Sequence, residues 1–78
     1  MYRERLRLGY FVWNSAVGMY DIAFPNSMYG GLGEGRPCFY ILMPNRCFLR
    51  TSLAWDGRAW ILRGIGNANA AIGMLAKI

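Results

Sequence analysis

The sequence predicts a mainly β fold in a single domain, residues 1–78: five short antiparallel strands forming a small barrel or meander, with a long glycine-rich loop and a short C-terminal helix or tail. Three observations predict it. Between Cys38 and Gly64, three apolar runs are separated by the turn signals Pro44-Asn45-Arg46 and Asp56-Gly57, the spacing of a β meander. Upstream, Arg5–Trp13 and Ala16–Phe24 alternate loosely, with Asn14-Ser15 near their turn, and supply two more strands. The stretch FPNSMYGGLGEGR, Phe24 to Arg36, has little to bury, and a bare loop of that length in a small domain points to function.

The third strand is CFYILM (Cys38–Met43), the fourth CFLRTSLAW (Cys47–Trp55) and the fifth RAWILRG (Arg58–Gly64). Asp-Gly is a strong two-residue hairpin signal. A turn at Asp56-Gly57 sets Trp55 opposite Arg58, Leu53 opposite Trp60 and Thr51 opposite Leu62. One face of this ribbon then carries Leu49, Thr51, Leu53, Trp55, Trp60 and Leu62, and the other Phe48, Arg50, Ser52, Ala54, Ala59, Ile61 and Arg63. Five antiparallel strands of this length are the inventory of an OB-like barrel, which binds nucleic acid along one face. After Gly66, Asn67 is a favoured cap for a short helix through NANAAIGMLAKI, which otherwise remains an irregular tail.

Charge and composition narrow the function. Nine basic residues stand against four acidic ones, a net charge of +5, and all the cations except Lys77 are arginine. Guanidinium groups make planar bidentate contacts to phosphate and stack on bases. With 55% hydrophobic and 15% aromatic residues, the chain carries more apolar surface than a small free monomer hides, so a place in a large assembly is expected. There is no histidine, and Glu4, Asp21, Glu34 and Asp56 show no paired spacing, so no enzyme, small-molecule substrate or cofactor is expected. Cys38 and Cys47 are too few for a zinc site and are expected as buried, reduced thiols, because in a hairpin around Pro44-Asn45 Cys47 faces the neighbourhood of Leu42, several rows from Cys38.

A membrane reading competes. From Leu8 to Gly33 the only charge is Asp21, and one continuous helix over Leu8–Phe24 bordering lipid would suit a small accessory subunit of a mitochondrial or other membrane protein complex. Asn14, Ser15, Asp21, Pro25 and Asn26 interrupt that run, against the roughly 20 apolar residues a span needs. The first residues lack the order of a secretory signal.

Along the chain stand Pro25-Asn26-Ser27, Gly33-Glu34-Gly35, Arg50, Asp56 and then GRAWILRG, Gly57 to Gly64. This order resembles the small-subunit ribosomal protein twelve family, the OB-fold protein of the decoding centre, with Arg58, Ile61, Leu62, Arg63 and Gly64 at the positions of its closing motif. The family's lysines before Pro-Asn-Ser are Ala23 and Phe24 here, and Arg36-Pro37-Cys38 follows Gly35 where the family has His-Asn. The resemblance implies a strongly reduced organellar version, in the mitochondrion, bound to ribosomal RNA and neighbouring ribosomal proteins and supporting translation. By the same resemblance Pro25, Asn26 and Ser27 form the decoding loop, with Ser27 bonding a 2′-hydroxyl or a base. Gly33, Glu34, Gly35 and Arg36 form a second RNA loop, and Arg50, Arg58 and Arg63 contact phosphate.

Overall fold

A computed structural model describes residues 6–78. The chain opens with a hairpin of β1 (Leu8–Asn14) and β2 (Met19–Ala23), paired from Tyr10↔Ala23 to Asn14↔Met19 around the turn Ser15–Gly18. Asn14 sets that turn: its backbone carbonyl accepts from Gly18 N at 2.8 Å and its side-chain Oδ1 from Ala16 N at 3.0 Å. Residues 8–24 therefore hold a two-stranded hairpin and not the continuous helix of the membrane reading. Among the described residues no helix is long and apolar enough to cross a membrane.

β3 (Phe39–Leu42) and β4 (Phe48–Thr51) form the second hairpin. Its loop holds three residues, Pro44-Asn45-Arg46, closed by Met43 N to Cys47 O at 2.9 Å. Arg46 takes the left-handed conformation at φ 69°, the geometry of a turn followed by a bulge. Cys47 thus faces Met43 rather than Leu42, and Cys38 lies at the far end of β3. Both thiols are free, as expected, but both are exposed, a correction to their expected burial.

The predicted fourth strand is broken at Ser52. Beyond it the chain leaves the first sheet and becomes β5 (Leu53–Trp55), which pairs with β6 (Trp60–Leu62), itself paired with β7 (Gly66–Asn67). A bend that carries one strand between sheets makes the corner of a sandwich, and here Thr51 Oγ1 donates to Arg63 O at 2.8 Å while Arg63 N donates to Ser52 O at 3.1 Å. The β5–β6 register pairs Leu53 with Leu62 and Trp55 with Trp60. The turn is centred one residue later than Asp56-Gly57, because the Asp56 carboxylate accepts from both Arg58 N and Ala59 N at 2.8 Å, leaving Gly57 at φ 100° as its first central residue. A one-residue shift of a turn moves the pairing by two, so each residue keeps its face.

The largest correction lies at the C-terminal end. Asn67 accepts from Asn69 N at 2.8 Å through Oδ1, and only a single 3₁₀ turn (Asn69–Ala71) follows. The chain then enters β8 (Leu75–Lys77), the middle strand of a five-stranded antiparallel sheet ordered β2-β1-β8-β3-β4. With β5-β6-β7 as a separate sheet, the fold is mainly β but not a closed barrel.

One face of the larger sheet packs against the smaller. Phe11, Ile22, Phe39, Ile41 and Ala76 are fully buried there with Leu53 and Leu62 from the second sheet. Phe11 stacks on Phe39 at 5.9 Å and on Tyr20 at 5.4 Å. Gly9 admits no larger residue, since a Cβ there would lie 2.5 Å from the Ala23 carbonyl oxygen. The long loop covers the free edge of β2: Met28 bridges to Ala23, Tyr29 N donates to Ile22 O at 2.9 Å and Leu32 N to Tyr20 O at 2.8 Å. Covering an edge blocks pairing with other chains.

Candidate nucleic-acid interface

The face of the five-stranded sheet turned away from the core carries the side chains suited to nucleic acid. Register places Leu8 beside Lys77, Lys77 beside Tyr40 and Tyr40 beside Arg50, one row across β1, β8, β3 and β4. Neighbouring strands lie about 4.8 Å apart, so Tyr40 has a cation roughly 5 Å of backbone away on either side. The adjacent row brings Tyr10, Leu75, Leu42 and Phe48. Tyr10 is 53% exposed, and Lys77 Nζ lies 4.0 Å from the centroid of the Phe48 ring. A groove of about 430 Å³, lined among others by Tyr29, Cys38, Tyr40 and Arg50, continues this face. Alternating aromatic and cationic side chains on an open sheet can stack bases and neutralise the phosphates between them.

Of the residues expected from sequence, Arg50 belongs to this row. Pro25, Asn26 and Ser27 are exposed at a tight turn closed by Phe24 N to Ser27 O at 2.8 Å. Ser27 Oγ accepts from Arg7 Nη2 at 3.2 Å, and the Arg7 guanidinium lies 3.7 Å above the Phe24 ring. From that tip the chain runs back beside β2, so Gly33–Arg36 sit at its Met19 end, several strand residues from Ser27. There Glu34 bridges to Leu53 in parallel, Gly35 N donates to Leu53 O at 2.6 Å, and Glu34 Oε2 accepts from Trp55 N at 3.3 Å. The two loops expected to contact RNA are thus held at opposite ends of one segment.

Arg58 and Arg63 are exposed, Arg58 in the β5–β6 turn and Arg63 opposite Ser52. The expected ribbon face carrying Arg50 and Arg63 is not continuous, because the strand breaks at Ser52, and Ser52 and Ala54, expected on that face between the two arginines, are buried. Sequence reasoning placed Phe48 on the face of Arg50 but missed Tyr10, Tyr40 and Lys77 as their neighbours there. The alternation in YFVW and FYIL marks Tyr10 and Tyr40 as facing away from Phe11, Phe39 and Ile41, but Lys77 joins them only through the non-local pairing of β8.

Electrostatically, the buried Asp21 carboxylate anchors the loop. It accepts from Asn14 Nδ2 at 2.9 Å, Ile22 N at 2.9 Å and Gly30 N at 3.0 Å. Burial pushes its pKa up, but the Asn14 amide and the N–H groups of Gly31, Ile22 and Gly30 outweigh that and hold it below the usual carboxylate value. Among the described residues no group of His, Cys, Asp and Glu could hold a metal ion. Comparisons with protein-family models, curated proteins and solved structures give no match to this chain.

Proposed function

We propose that this chain is an RNA-binding component of a ribonucleoprotein particle, the particle being the small subunit of a mitochondrial ribosome. The observation that carries RNA binding is the row Lys77–Tyr40–Arg50 on the uncovered sheet face. The order Pro25-Asn26-Ser27, Gly33-Glu34-Gly35, Arg58–Gly64 carries the choice of particle. In this reading the open sheet does the work that the strand face of an OB-like barrel would do. Bases stack on Tyr40 and Tyr10, Arg50 and Lys77 take the flanking phosphates, and the Pro25–Ser27 tip reaches a minor groove where 2′-hydroxyls are displayed. Arg58 and Arg63 add sequence-independent phosphate contacts, which position a protein without reading bases.

The test has two parts. Binding of a short single-stranded RNA to the full chain is compared with that of Tyr40→Ala, since loss of one stacking platform should weaken affinity by about 1–3 kcal/mol. An unchanged affinity, or none at low salt, overturns RNA recognition by this face. Incorporation into ribosomal small subunits, and misreading by them, are then compared for Ser27→Ala and Arg58→Ala. Ser27→Ala is expected to alter accuracy while incorporation proceeds, and Arg58→Ala to weaken incorporation. If Ser27→Ala changes neither, the decoding assignment falls while RNA binding stands.

A further inference from the structure

The two sheets do not close on each other everywhere. Near the Met19 end of β2 a cavity of about 260 Å³ remains, lined among others by Trp13, Tyr20 and Trp60, by Leu32 and Leu53, and by Glu34. None of the described arginine or lysine side chains lines it.

The rings are held in place. Trp13 and Tyr20 meet edge to face at 5.0 Å with 79° between their planes, two nearly perpendicular walls. Tyr20 is stacked on Phe11 and its hydroxyl donates to Asn69 Oδ1, which fixes its plane. Trp60 is braced by Trp55 at 5.5 Å and 64°. Glu34 is fixed by the bridge to Leu53 and by the Trp55 N–H. In a chain with net charge +5, an acidic residue in the lining of a cavity that also holds two tryptophans and a tyrosine is a local exception to the overall field.

We propose that this cavity binds a methylated ammonium group. A quaternary ammonium has no N–H to satisfy and sheds water more readily than a primary ammonium, so aromatic faces can replace its hydration, with tryptophan the strongest of them. Glu34 supplies the countercharge. A neutral apolar guest would fill the same volume and gain nothing from the carboxylate, and that difference makes the proposal testable. The glycine-rich loop then has a defined task, since Gly33 and Gly35 flank the residue that carries the charge to the rings. The cavity lies on the inter-sheet side, away from the row proposed for RNA, so the two readings stand or fall separately.

The full chain is titrated with choline, with free Nε-trimethyllysine and with the neutral isostere of choline in which carbon replaces the quaternary nitrogen, following the tryptophan indole N–H resonances by NMR. Both cations are expected to shift Trp13 and Trp60 and to bind about tenfold or more tightly than the isostere. Their order of affinity then tells a small metabolite from a modified side chain. Glu34→Gln should weaken both cations about two- to fivefold and leave the isostere unchanged, and Trp13→Ala should abolish the shifts at Trp60. The proposal is overturned if the isostere binds as well as choline, if Glu34→Gln weakens all three alike, or if neither cation shifts an indole resonance while the amide spectrum shows a folded chain.

Discussion

Asp21 shows how one residue can be legible in type and illegible in role. In the sequence it is the single charge between Leu8 and Gly33, an interruption of an apolar run. In the structure it is fully buried and meets neutral donors only, one from Asn14 across the hairpin and the others from backbone N–H groups. The donors of Gly30 and Gly31 belong to the long loop, so the carboxylate is what pins that loop over β2. No local pattern announces this, because the partners lie nine and ten residues away in a stretch without periodicity. Asp21→Ala should cost about 2–3 kcal/mol, since it strands the buried Ile22 N–H and the part-buried donors of Asn14 and Gly30, and urea unfolding monitored by tryptophan fluorescence measures it. The carboxyl holds its proton less tightly in the folded than in the unfolded chain. Its stabilisation is therefore complete above the ordinary aspartate value of about 4 and fades as pH falls through the lower, folded value. The urea midpoint should drop on acidification over that range, and less steeply in Asp21→Ala.

At the scale of elements, the hairpins β1–β2, β3–β4 and β5–β6 were legible because each is specified by residues next to its own turn. Pro44-Asn45-Arg46 gives the three-residue loop. Asp56 displaces its turn by one position but leaves Leu53, Trp55, Trp60 and Leu62 on the face expected for them. β8 was illegible for the opposite reason. Ala, Met, Leu and Lys are good helix formers, and Leu75–Lys77 becomes a strand only because β1 and β3 leave a gap that its backbone fills, with pairing partners 35 to 69 residues earlier in the chain. Ala76 sits in that gap, fully buried, opposite Gly9 on one side and Ile41 on the other. Placing proline in a central strand removes a ladder donor and sets its ring against a neighbour. Ala76→Pro should therefore cost about 3 kcal/mol or more and abolish cooperative unfolding. Proline at Ser15, in the exposed β1–β2 turn, should be tolerated far better. Thermal melts of the two variants by circular dichroism decide this, and equal stability would mean that β8 is dispensable to the sheet.

For the whole molecule, the expected five-stranded barrel or meander gave way to two sheets because two local events redirect the chain: the bend at Ser52 carries β5 away, and β8 enters between β1 and β3. The consequence is a division of surfaces, with the inter-sheet side filled by aliphatic and aromatic packing except at the cavity near Met19 and the opposite side of the larger sheet left open. The distribution of cations follows that division. Arg50 and Lys77 lie on the open face and Arg46 in the β3–β4 loop beside it, whereas Arg58 and Arg63 belong to the second sheet. A single strand of RNA laid along the open face therefore meets about three cations. Each phosphate neutralised on a single strand adds about 0.7 to the slope of log affinity against log salt. The expected slope for an oligonucleotide too short to reach the second sheet is thus about −2, falling to about −1.4 in Arg50→Gln and unchanged in Arg58→Gln, whose phosphate contacts need a longer RNA. If all seven described cations (Arg7, Arg36, Arg46, Arg50, Arg58, Arg63 and Lys77) were engaged instead, the slope would approach −5, and every arginine variant would reduce it equally. Filter binding between low and moderate salt separates the two. The steep slope would mean that RNA wraps both sheets, and a slope near zero would mean that the charge of this chain serves something other than phosphate.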